Sequence, residues 1–126
     1  MTWTLLHDRM AFMAEVIKAA EADAERALAV VADSPEISRL FGGEEGLLLS
    51  LGQRWMTMLV AKLDQAAHEG VAAEQVRADL ETAEPGLHAL VRIGSRRSLR
   101  VRSLTRGEHV AVGLFGGPSG DRQTVA

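Results

Sequence analysis

Six arginines crowd one short stretch of this sequence: Arg92, Arg96, Arg97, Arg100, Arg102 and Arg106 stand within 15 residues. Guanidinium groups present rigid forks of N–H donors that match phosphate and carboxylate oxygens, so the stretch is suited to gripping anions. Nucleic-acid binding would use these side chains as clamps on backbone phosphates, with an affinity that falls steeply with salt. Two features weigh against that use. The chain as a whole is acidic, with a net charge of −3 and a pI near 5.8, whereas dedicated nucleic-acid binders are usually basic. No aromatic residue lies between Trp55 and Phe115, which leaves no stacking platform for bases. The simpler reading is that the arm packs on acidic helices of its own chain or of a partner copy.

The other titratable groups make a weaker constellation. His7, Asp8 and Glu15 fall on one helical segment and Asp64, His68 and Glu69 on another. His7 and Glu15 share a helical face two turns apart, but Ala11 between them offers no ligand. The Glu-x-x-His spacing of carboxylate-bridged metal bundles is missing. His68-Glu69 starts like a zinc-protease motif, yet residue 72 is alanine, so the second imidazole is absent. No metal site and no cofactor are therefore expected. The only lysines, Lys18 and Lys62, lie inside helical segments, which excludes a phosphate-binding P-loop. The Gly-x-Gly-x-x-Gly and Gly-x-Ser-x-Gly signatures are also missing. With no cysteine, thiolate chemistry, disulfides and cysteine zinc sites are ruled out.

A third feature is apolar. Trp3, Met10, Met13, Trp55, Met56 and Met58 are residue types that adapt to irregular surfaces and recur at partner-binding faces. Trp3, Met10, Trp55 and Met56 are the candidate interface, and a symmetric homodimer is the expected form of association.

These groups must be positioned by helices. At 126 residues with 47% apolar side chains, the chain suits one globular domain with a single core. Apolar residues from Leu5 to Val31 recur at three- and four-residue steps, predicting a long amphipathic helix over 5–31. Ser34, Pro35 and Glu36 supply a cap, a first-turn proline and a first-turn acid for a short helix ending at Gly42-Gly43. A second long helix is predicted over 44–69, apolar on more than one side and closed by Gly70. Shorter helices follow over 72–83 and from Pro85 to Gly94.

The segment after Gly94 is ambiguous. Alternation in Leu99-Arg100-Val101-Arg102 and His109–Leu114 suits a β-hairpin over about 98–115, while Leu104, Glu108 and Val112 also suit broken helices. Helix is preferred, because a lone hairpin is marginal and helices dominate upstream. The expected fold is thus an all-α bundle with two long helices and several short ones, the alternative being α+β with the C-terminal hairpin. Residues 1–115 make one domain, and 116–126 a flexible tail.

Charge is unevenly distributed: residues 1–84 carry 15 acidic and 7 basic side chains, residues 85–126 carry 2 and 7. An acidic body with a basic arm suggests a non-enzymatic helical interaction or regulatory module, engaging a protein partner or itself. The alternative is a small nucleic-acid-associated regulator using residues 92–106. No stretch is long and apolar enough to span a bilayer. The N-terminus lacks the pattern of a secretory signal, so a cytoplasmic location is expected.

Overall fold

Thr2, Asp23 and Ser34 cap the first three helices with their side chains, and Gly42 and Gly70 end the third and fourth in the left-handed conformation. In the computed structural model, which describes the backbone of residues 2–125 and the side chains of residues 2–115, seven helices follow in succession. The tail expected over 116–126 lies outside the fully described residues. They are α1 (Trp3–Ala20), α2 (Ala24–Val31), α3 (Pro35–Phe41), α4 (Glu44–Glu69), α5 (Ala73–Ala83), α6 (Pro85–Arg97) and α7 (Leu99–Val125). The fold is all-α, and no strand occurs among the described residues.

The long helix expected over 5–31 is in fact two. The chain leaves α1 at Glu21, and the Asp23 carboxylate accepts a hydrogen bond from the Arg26 backbone N–H at 3.0 Å, capping α2. Such a cap satisfies one of the orphan donors of a new helix. The break lets α2 fold back on α1, so that Ala27 and Leu28 enter the core. Ser34 caps α3 with Pro35 in its first turn, and Gly42 ends it with φ of 77°.

Helix α4 runs through the centre. It buries Leu47, Leu48, Leu51, Gly52, Trp55, Leu59, Leu63 and Ala66, and it contacts α3, α5, α6 and α7. Each fully buried leucine contributes about 1.5–3 kcal/mol through removal of apolar surface from water. At the opposite end of the core, Phe12 and Phe41 meet with ring centroids 5.6 Å apart.

In the C-terminal half one expectation is corrected and one is borne out. Helix α6 does not stop at Gly94 but continues to Arg97. Gly94 is there because the helices come close: an added Cβ would stand 3.0 Å from Val101 Cγ1 and 3.4 Å from Leu48 Cβ. The segment over 98–115 is helical, as preferred, and belongs to α7 rather than to the alternative hairpin. Val101 and Ala111 are buried and Leu104, Glu108 and Phe115 half-buried, a spacing of three and four that a helix, not a strand, presents to one side. Ser98 joins the two helices; its hydroxyl accepts from the Val101 N–H at 3.2 Å and donates to Glu45 at 2.6 Å.

A second close approach sets the placement of α1. A Cβ at Gly86 would run into the Ile17 carbonyl oxygen and come within 3.2 Å of the Glu21 nitrogen, both backbone atoms that cannot rotate away. Gly86→Ala is expected to destabilise the fold by about 1–3 kcal/mol, as overpacking does. Gly113 of α7 has nothing within 4 Å of an added Cβ. Gly113→Ala should therefore stabilise, by up to about 1 kcal/mol, through helix propensity. Urea unfolding of both variants checks the opposite signs.

Candidate functional site: an arginine-lined pocket

The arginine stretch divides into two groups that the linear sequence does not separate. Arg97 sits at the end of α6 and reaches across to α2 and α4, bonding Glu25 at 2.9 Å and Glu44 at 3.0 Å. Arg100, in the first turn of α7, lies 3.5 Å from Glu45. These two, expected with the other four to face a partner, are engaged within the chain. They fasten the basic arm to the acidic first turn of α4.

The remaining four converge. Arg92 and Arg96 are one turn apart on α6, and Arg102 and Arg106 one turn apart on α7; all four line one pocket of about 370 Å³. Between the pairs, the Ser95 and Thr105 hydroxyls meet at 3.0 Å and tie the two helices together. Arg102 donates from Nε to the Ser95 carbonyl at 2.9 Å, which holds its guanidinium against α6. Among the described residues, Arg92, Arg96 and Arg106 have no hydrogen-bond or carboxylate partner. Like charges one turn apart destabilise a helix by about 0.2–0.5 kcal/mol per pair. Two such pairs share this pocket, and among the described residues its only lining carboxylate is Glu108.

Glu108 is already committed. One of its oxygens accepts from Arg77 Nε of α5 at 3.0 Å, and Arg77 also lies 3.3 Å from Glu81 and 3.9 Å from Glu74. Three carboxylates thus surround Arg77, while Arg92, Arg96, Arg102 and Arg106 have no carboxylate partner among the described residues. Sequence spacing contained part of this signal, since 92/96 and 102/106 are both separated by four. Nothing in it located Arg77, Glu108 or His88 at the same place.

The pocket floor is Trp55, expected at an interface but fully buried at 0% exposure. The reason is its position on the α4 side that faces α6, where His88 packs on the indole with ring centroids 5.1 Å apart. Among the described residues the Trp55 Nε1–H has no hydrogen-bond acceptor, as is also true of Arg54 Nε. Of those two buried donors, the Trp55 group belongs to a pocket-lining residue. Met56 is half-buried and borders a shallow apolar depression with Val60 and Phe115. Trp3 and Met10 are exposed on α1; together with Leu6 they form an apolar stripe, with Trp3 at 83% exposure.

The groups considered for metal binding are not brought together. Asp8 lies 3.5 Å from Arg39, and His68 Nδ1 contacts the Asp64 backbone carbonyl rather than a carboxylate. Among the described residues no cluster of three or more histidine, aspartate or glutamate side chains forms. Nor is any described helix long and apolar enough to cross a membrane. No protein-family model, curated protein or solved structure matches the chain.

Burial pushes the His88 pKa below its ordinary value of 6.5; Glu81, 3.6 Å away, and Glu108 pull it up, while Arg92 and Arg77 push it down. Folded His88 therefore resists a proton that the unfolded chain accepts. Its contribution to stability is complete above pH 6.5 and is lost as pH falls through the interval between 6.5 and the lower native value. Thermal unfolding between pH 7.5 and 5 should show the wild type losing more stability on acidification than His88→Gln. Equal pH slopes would remove this role of His88.

Proposed function

We propose that the chain is a non-enzymatic helical interaction and regulatory module whose receptor site is the arginine-lined pocket, which takes an anionic group. The observation carrying the proposal is the pair of opposed arginine doublets without carboxylate partners among the described residues, next to arginines that do have them. An anion at this place relieves the repulsion between the doublets and gains charge-assisted hydrogen bonds. Two groups able to move a proton here are engaged elsewhere, Glu108 on Arg77 and His88 between Trp55 and Glu81, while His109 also lines the pocket.

Sulfate tests the anion site in the whole protein. Thermal unfolding in sodium sulfate should occur at higher temperature than in sodium chloride of equal ionic strength, as ligand linkage requires. Because sulfate also stabilises proteins generally, the comparison rests on variants. Replacing Arg92, Arg96 and Arg106 with glutamine should raise the midpoint without sulfate and abolish the additional sulfate response. Replacing Arg97 and Arg100 with glutamine should lower the midpoint and keep that response. A sulfate response unchanged by the first set of substitutions would rule the anion site out.

The partner surface in this proposal is the α1 stripe of Trp3, Leu6 and Met10, which sits at helical spacing on the exposed side. A second copy covering that stripe makes the homodimer. Light scattering should give twice the chain mass for the wild type and the single-chain mass for Trp3→Ser/Met10→Ser; a monomeric wild type would exclude self-association as the interaction mode.

A further inference from the structure

Resting on the anion-receptor reading, we infer that the ligand is a small, hydroxyl-bearing phosphate ester of the sugar-phosphate kind. Charge is the first argument. Five guanidiniums line the pocket, and four of them, all but Arg77, have no carboxylate partner among the described residues; a phosphate monoester brings nearly two negative charges with three terminal oxygens, where a carboxylate brings one charge and two oxygens.

Size and polarity give the second. The pocket volume of about 370 Å³ lies within the roughly 300–1,000 Å³ of small-molecule sites, so space remains beyond a phosphoryl group. Val91, Ser95, Thr105, Glu108 and His109 belong to the same lining. Glu108 uses Oε1 for Arg77, and its other oxygen has no partner among the described residues. An ionised carboxylate only accepts hydrogen bonds, so it repels a second anionic group and favours a hydroxyl donor. The pocket thus suits a molecule that carries both an anionic group and a hydroxyl.

The third argument separates a discrete ligand from a nucleic-acid strand. A strand needs positive charge that continues along its backbone. Here Arg97 and Arg100, which would extend the charge beyond the pocket, pair with Glu25, Glu44 and Glu45. Trp55 is buried against His88 and offers no face on which a base could stack.

The full chain carrying Trp3→Phe leaves Trp55 as its sole tryptophan and so reports from the pocket floor. Its emission and binding heat would be followed with inorganic phosphate, glycerol 3-phosphate, ribose 5-phosphate, glucose 6-phosphate, citrate and a labelled single-stranded oligonucleotide. At least one sugar or polyol phosphate should bind ten-fold or more tighter than inorganic phosphate and citrate. Arg92→Gln/Arg96→Gln should weaken every phosphate ligand at least ten-fold. Glu108→Gln, checked for an unchanged fold by circular dichroism, should reduce the advantage of the ester over inorganic phosphate. If inorganic phosphate binds and no ester exceeds it, the ester assignment fails while the anion site stands. If neither inorganic phosphate nor any ester binds, both fail. Oligonucleotide binding tighter than that of every ester overturns the assignment in favour of a strand.

Discussion

The seam where α6 meets α4 and α7 is set by a missing side chain. At Gly94 the helices approach until an added Cβ would stand 3.0 Å from Val101 Cγ1 and 3.4 Å from Leu48 Cβ. At Gly52 the corresponding approach is to Leu104, 2.9 Å away. Protein interiors are packed too densely to absorb even one extra carbon cheaply at such points. Gly94 thus lets α6 lie close to both α4 and α7, and Gly52 leaves room on α4 for the Leu104 side chain of α7. That nearness places Arg102 and Arg106 around the same pocket as Arg92 and Arg96, and Trp55 at its floor.

Electrostatic neutralisation follows the same geometry. The acidic start of α4 carries Glu44 and Glu45, which face the junction between α6 and α7. Arg97, Ser98 and Arg100 reach those carboxylates, and Arg97 also reaches Glu25 of α2. Individually such exposed pairs contribute little. Their joint effect is on placement, because one short junction is attached to two helices distant in sequence. On the far side, Arg77 is held by Glu74, Glu81 and Glu108 and links α5 to α7. The pocket lies between these two satisfied networks and holds the charge that neither neutralises.

Burial of aromatic and imidazole rings completes the arrangement. Trp55 fills the core where α4 faces α6, and His88 covers it with the planes inclined at 37°. Packing on the indole takes His88 out of water, which disfavours its charged form despite the nearby Glu81. The floor of the pocket is thus uncharged, and its positive character comes from the rim.

Much of the architecture was legible in the residues alone. Ser34-Pro35 and Gly42 bounded α3, Gly70 ended α4, and the apolar spacing over 44–69 located the central helix, because caps and helical periodicity act within one or two turns. The cap at Asp23 is equally local, but the unbroken alanine-rich spacing masked it, and the fold-back was driven by burial of Leu28. Gly94 read as a helix end, since its reason for being glycine lies in Leu48 and Val101 rather than in its neighbours. Likewise the six arginines were visible as a group, and only tertiary structure sorted them. The carboxylates that neutralise Arg97 stand 53 and 72 residues away, and proximity across such intervals is set by packing of the core, not by spacing along the chain.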